Sequence, residues 1–398
     1  MDKIIVQKYG GSSVSNIEKI KNIASKLIER KKTNPKIVVV VSAMGDTTDE
    51  FISVAKDITD NPNKRELDVL MSTGEMISAS LLSMSLNALG CDSVSYNAYQ
   101  LNIQTSGIHG KSLIDDIDVS KINDSLNQGK IVIVTGFQGL NDEGDITTLG
   151  RGGSDTSAVA LAVKLNGLCE IYTDVDGIYF TDPREYKEAK KLKEIEYEEM
   201  LELASLGAQV MHSRSVELAQ KYGVELYVGL SCSDIEGTYI RGSKNMKLED
   251  KVITGLATCD DDAAITIIDI DMKNVLKLFE HIANDGISVD MISQTAPFNN
   301  KVNVSFTIAK EDLAQCKDIV KDYVSLDSIV VDEDITKFSL VGLGMKHTSG
   351  VASKIFKIFS ENDINVKLIT TSEIRITCAI NSSSKSLAIN KIAKEFNL

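Results

Sequence analysis

The 398-residue chain is poor in several of the patterns that mark large protein classes. Its four histidines are not arranged with cysteines or carboxylates at metal-ligand spacing, so no protein-held metal is expected. Six cysteines, at 91, 169, 232, 259, 316 and 378, form no CxxC pair and read as reduced thiols filling small core positions. No apolar run approaches the roughly 18 to 20 residues of a membrane span. The start passes from Met1 straight into IIVQKYGG without a cationic segment and cleavage signal, so a cytoplasmic location and no membrane partner are expected. Positive charge is also scarce: 43 Lys and Arg against 57 Asp and Glu give a net charge of −14, which argues against a nucleic-acid surface.

What is present is a regular alternation. Short runs rich in β-branched residues occur at Ile4–Val6, Ile37–Val41, Ile131–Val134, Ile171–Val175 and Val224–Val228. Helically spaced segments such as Ile17–Arg30 and Leu67–Leu89 lie between them. Near-continuous apolar strands alternating with helices predict an α/β domain over residues 1–245, with a largely parallel sheet covered on both faces. Several strands run into Gly, Ser or Thr loops, which marks the carboxyl ends of the strands as the ligand face. Beyond 245 the elements shorten and a repeat emerges. Ile287-Ser288-Val289-Asp290-Met291-Ile292-Ser293-Gln294-Thr295 matches Ile364-Asn365-Val366-Lys367-Leu368-Ile369-Thr370-Thr371-Ser372. Two small αβ modules, 252–330 and 331–398, are the economical reading.

The stretch Thr147–Ala160, TTLGRGGSDTSAVA, places Arg151, three glycines, Ser154 and Asp155 before a small-residue helix. Gly150, Gly152 and Gly153 let backbone N–H groups approach an anion, and the helix N-terminus adds a positive dipole. A plain glycine turn with a polar cap explains the same residues. Lys8 ends the first strand just before Gly10-Gly11-Ser12-Ser13, a place from which it can neutralise phosphate charge. A P-loop is excluded, because Gly110-Lys111-Ser112 is preceded by Thr105 where the motif needs glycine. Thr173-Asp174-Val175-Asp176-Gly177-Ile178-Tyr179, followed by Thr181-Asp182-Pro183-Arg184, does not follow the calcium-loop register. It reads as a nucleotide pocket or, more plainly, as a polar turn.

Together Lys8-Tyr9-Gly10-Gly11-Ser12-Ser13-Val14, Val41-Ser42-Ala43-Met44-Gly45-Asp46-Thr47-Thr48, Leu149 to Asp155 and Thr173 to Tyr179 resemble the aspartokinases of the amino acid kinase superfamily. The resemblance runs in order along the chain and includes a carboxyl-terminal pair of ACT-like modules. It implies an amino acid kinase-like three-layer α/β fold followed by two α+β modules. It also implies transfer of the γ-phosphoryl of MgATP to the side-chain carboxylate of L-aspartate, with Mg2+ bound mainly through the phosphates. Sister kinases of glutamate, acetylglutamate or UMP, and a catalytically silent amino-acid sensor, are the competing readings.

By the same resemblance Lys8 stabilises the transferring group, with Tyr9, Gly10, Gly11, Ser12, Ser154, Thr173, Asp174, Tyr179, Asp182, Arg184 and Gln209 around ATP. Ser42, Thr48, Glu75, Arg151, Gly152, Gly153 and Asp155 are implied around aspartate, with Lys8, Arg151 and Asp155 as the catalytic set. Gln209 stands where many family members carry lysine, and Lys346-His347-Thr348-Ser349-Gly350 replaces a common Ser-His-Pro-Gly order. The modules imply feedback inhibition by lysine, or by threonine, and assembly as a homodimer or dimer of dimers. Candidate effector contacts are Met272, Asn274, Val275, Val289, Asp290, Met291, Gln294 and Thr295.

Overall fold

The computed structural model describes residues 3–207, 210–242 and 252–398. The chain forms two compact units. The first comprises Met1–Ile178, Lys191–Ala204 and Gln209–Lys247; the second comprises Tyr179–Lys190, Ser205–Ala208 and Leu248–Leu398.

In the first unit an eight-stranded sheet runs in the spatial order Glu194–Glu196, Thr238–Arg241, Leu226–Leu230, Leu168–Thr173, Ile5–Tyr9, Ile37–Val41, Ile131–Thr135, Ser93–Tyr96. Every neighbouring pair is parallel except Leu226–Leu230 with Thr238–Arg241. Ile37–Val41 and Ile131–Thr135 are buried at every position, which is why they read as unbroken apolar runs. The strands expected at 171–175 and 224–228 fall at 168–173 and 226–230, since neither apolar run fixes where its pairing starts.

Helix Ile17–Thr33 is capped by Asn16, whose side chain accepts from the Lys19 N–H. It buries Ile20, Ile23, Ala24 and Leu27, one helical stripe, against the sheet. Helix Lys64–Ala88 is long and apolar enough to span a membrane by length and composition, but half of its apolar window is buried inside the unit. Its buried face also carries two carboxylates, Asp68 and Glu75. Helix Gly153–Leu165 is buried along most of its length, which its Ala, Ser and Gly content permits by letting it lie close to the strands.

The second unit holds two four-stranded antiparallel sheets. One runs Gly255–Cys259, Ile335–Val341, Arg375–Asn381, Val366–Thr371; the other runs Ile292–Gln294, Lys301–Ala309, Asp262–Asp271, Ile329–Asp332. The expected division at 330 is therefore corrected. Gly255–Cys259 pairs with Ile335–Val341, so the sheet of the second module takes its edge strand from ahead of the first module, which is inserted within it. Helices Met272–Asn284 and Leu313–Lys321 cover one core, and Val351–Glu361 and Lys385–Glu395 the other. The repeated segments supply matching strands, Ile292–Gln294 and Val366–Thr371, each following a helix. Ala264, Met291, Ile335 and Ala379 form a small shared cluster between the two modules.

The expected boundary at 245 also needs correction. Phe180, only 2% exposed, is buried with Leu256, Phe338 and Phe359, and its carbonyl accepts from the Leu256 N–H at 2.7 Å. Tyr179, Asp182 and Arg184 thus fold with the second unit. There the Arg184 guanidinium grips Asp182, with Nη2 2.6 Å from Oδ2 and Nε 3.0 Å from Oδ1, and this pairing holds the Asp182 carboxyl below its ordinary value.

Candidate active site

Lys8 lies in the middle of the first unit's sheet, between Val40 and Ile171. Its Nζ stands 2.7 Å from Asp155 Oδ1, an ion pair without hydrogen-bond alignment, with 12% and 11% of the two side chains exposed. Asp155 occupies the first turn of helix Gly153–Leu165, where a carboxylate faces the positive end of the helix. The glycines ahead of it are required by geometry. Gly152 caps the helix at φ 70°, and a Cβ there would fall 2.3 Å from the His212 Cβ. Arg151, in the same turn, is exposed. Ser154 is buried beneath Gly136, where any larger residue would strike its side chain.

Gly10 and Gly11 open a short 3-10 turn, Gly11–Val14, beside Lys8. A Cβ on Gly11 would meet the carbonyls of Gly45 at 2.9 Å and Ala43 at 3.0 Å, so the two strand-end loops touch through backbone. The Gly45 N–H donates to the Gly11 carbonyl at 3.0 Å. Behind them Glu75 accepts from the Ala43 N–H at 3.1 Å through Oε1, while Oε2 is buried without a hydrogen-bond partner. Burial pushes the Glu75 carboxyl up to about 7. Ser42 and Thr48, both half-buried, flank this loop. The structure therefore brings Lys8, Gly10, Gly11, Ser42, Glu75, Gly152, Gly153 and Asp155 to the carboxyl ends of adjacent strands or to elements packed there.

Ser12, Ser13, Lys19, Thr173, Asp174 and Cys232 are among the residues lining a cavity of about 310 Å³ at the same strand ends. Ser12, Thr173 and Asp174 are among the residues that the resemblance implies around ATP. Tyr9 is a correction: it is 3% exposed, its ring stacks on Tyr172 at 5.2 Å and its hydroxyl donates to Gln7, so the side chain belongs to the core. Gln209 lies outside the described residues.

Residues 3–229 match the amino acid kinase family, and residues 338–396 match the ACT domain. Aspartokinase 2 of Bacillus subtilis is 43% identical over 401 residues, covering 99% of this chain and 98% of the relative. The aspartokinase of Geobacillus stearothermophilus is 43% identical over 398 residues, covering 99% and 97%. The chain belongs to the aspartokinase family. Its fold is shared with Escherichia coli aspartokinase III, solved with aspartate and ADP and again with lysine and aspartate; both have a TM-score of 0.80 at 23% identity, covering 98% or 99% of this chain and 99% of that one. It is an aspartate kinase with ACT modules.

Two supports of this kinase site carry no motif. Asp68, 1% exposed, accepts from the Thr148 hydroxyl at 2.6 Å, the Thr148 N–H at 3.1 Å and the Gly110 N–H at 3.0 Å, and pairs with His109 Nδ1 at 2.8 Å. Arg214 donates to the carbonyls of Leu149 at 2.9 Å and Ser112 at 2.8 Å, and burial lowers its pKa. Both hold the segment that leads into Arg151. In sequence Asp68 looks like an ordinary helix acid; the one available signal is its spacing of seven from Glu75, which puts both on one face.

In the first ACT module, Met272, Asn274 and Val275 start a helix capped by Asp271, and Val289 is half-buried against the core. Gln294 and Thr295 are exposed. Asp290 pairs with Lys337 at 2.5 Å, and Lys337 also holds Asp262. Met291 corrects its expectation: it is 2% exposed within the shared cluster, and its N–H and carbonyl both pair with Thr307.

Proposed function

We propose that the chain transfers the γ-phosphoryl of MgATP to the side-chain carboxylate of L-aspartate, giving 4-phospho-L-aspartate and ADP. The Lys8–Asp155 pair, set in the first turn of the glycine-capped helix, is the observation that carries this reading. Lys8 neutralises charge on the moving phosphoryl group, and Asp155 keeps the ammonium aimed where that charge develops. Gly10, Gly11 and Ser12 present backbone to the phosphates. Arg151 takes a substrate carboxylate, and the unpartnered Oε2 of Glu75 takes the substrate ammonium. A carboxylate is already nucleophilic at neutral pH, so no general base is invoked, and positioning with charge neutralisation supplies the rate. The nucleotide phosphates would hold Mg2+, which would neutralise part of their charge. Lys8 and Lys19 beside glycine backbone do not match the full charge of a triphosphate, which suits a ligand that arrives partly neutralised.

The reaction is the first step towards lysine, threonine and methionine, in the cytoplasm, with feedback through the ACT modules by lysine or, second, threonine. Phe298, 78% exposed, with Leu276 and Ile292 on the first module, supports assembly into a homodimer or dimer of dimers through these modules. The test is aspartate-dependent release of ADP from MgATP, with glutamate and UMP as competing acceptors. Turnover of either one without aspartate turnover overturns the assignment. Repeating the assay with lysine, threonine and both identifies the effector.

A further inference from the structure

Asp68 and Glu75 stand on one face of helix Lys64–Ala88, seven residues or just under two turns apart, roughly 10 Å along the axis. Both are buried. Glu75 reaches the Ala43 loop; Asp68 reaches the segment that carries Arg151. From Asp68 two routes converge on that segment. Thr148, two residues before Gly150, is held through both its N–H and its hydroxyl. The Gly110 N–H is held as well, and Gly150, at φ +78°, lies so close on the Gly110 carbonyl that a Cβ would sit 2.7 Å from it. Ser112 closes the pair by donating its N–H to the Thr148 carbonyl at 3.0 Å. Both layers of the glycine turn thus hang from one carboxylate. Saturated by these donors and shut off from water, Asp68 has no lone pair aimed at a ligand. Its action on a substrate has to be indirect.

We propose that Asp68 is a positioning residue for the amino-acid substrate, fixing the separation between Glu75 and the Arg151 turn. The proposal rests on the reading above that Glu75 and Arg151 grip the two charged ends of aspartate. A rigid helix carries one grip directly and the other through Asp68, so the helix acts as the gauge of substrate length. Asn at 68 keeps one oxygen for the Gly110 and Thr148 N–H groups but removes the negative charge that strengthens those bonds and sets an N–H2 group against the Thr148 hydroxyl, which loosens the turn. A displacement of about 1 Å in a positioned group can cost on the order of 100-fold.

The test compares Asp68→Asn, Thr148→Val and Thr148→Ser with wild type in steady-state kinetics and in the melting-temperature rise produced by saturating aspartate. Asp68→Asn should raise KM for aspartate about tenfold or more and shrink the aspartate-induced rise, with KM for MgATP within about twofold. Thr148→Val, which removes one donor, should move aspartate KM the same way by a smaller factor, and Thr148→Ser should restore it. Equal changes in both KM values, or a lower melting temperature with aspartate KM unchanged, overturn the proposal. Should Asp68→Asn fail to fold, the Val and Ser variants decide by the same criteria. Arg151→Ala and Glu75→Gln serve as references: if neither weakens aspartate, the underlying reading of the grip is wrong. If both do while the Asp68 and Thr148 variants do not, the positioning role alone is wrong.

Discussion

Lys8 Nζ and Asp155 Oδ1 lie 2.7 Å apart across a strand end and a helix start, with almost nine-tenths of each side chain withdrawn from solvent. Removing one member leaves the other charge buried and uncompensated, which costs about 3 kcal/mol or more. Lys8→Ala should therefore melt at lower temperature and lose at least about 100-fold in kcat/KM. The double variant Lys8→Met with Asp155→Asn should recover most of the melting temperature in calorimetry and none of the activity. Recovery of both would mean the pair is only structural.

Glu75 gives a pH signature. Burial raises its carboxyl from 4.5 to about 7 in the folded chain. Between those values the folded state binds more protons than the unfolded one, so stability falls as pH rises through this window, by about 3 kcal/mol in all, and is flat above it. An ammonium at Oε2 favours the ionised form, so aspartate binding should expel a proton near neutrality. The expected outcome is a KM for aspartate that rises as pH drops from 7.5 to 6, and proton release seen by calorimetry in buffers of different ionisation heat. Glu75→Gln should flatten both.

Gly152→Ala tests the turn itself. The residue sits at φ 70° and its Cβ would lie 2.3 Å from the His212 Cβ. Strain and clash together should cost at least about 1 to 3 kcal/mol. Aspartate KM should rise with the loss of melting temperature, because Arg151 is the preceding residue.

Asp290 is held by Lys337, so an effector ammonium has to displace or share that lysine. Asp290→Asn should weaken inhibition by lysine about tenfold or more in dose-response assays, while leaving uninhibited aspartate kinetics unchanged. Unaltered inhibition would move the effector contact elsewhere.

The residues whose place in the fold depends on their immediate neighbours are legible in the sequence. Lys8 with Gly10 and Gly11, and Arg151 to Asp155 ahead of a small-residue helix, carry strand-end and helix-start signals that need no tertiary knowledge. Asp68 does not: its donors come from residues 41 to 80 positions away, a distance over which local pattern is silent. The burial of the Tyr9 ring leaves no local signal for a related reason, since its core partner Tyr172 comes from a strand far along the chain. Strand Gly255–Cys259 looks no different from an opening strand of the first module; only its pairing with Ile335–Val341 assigns it to the second.

That pairing makes the first ACT module a guest in a hairpin. Cys259, where the chain leaves the host sheet, lies opposite Lys337, just beyond where it returns, so entry and exit are neighbouring rungs of one ladder. Any rotation or swelling of the guest pulls on both rungs at once. The guest is thus moored to the host sheet at two adjacent points, with no separate linker between them.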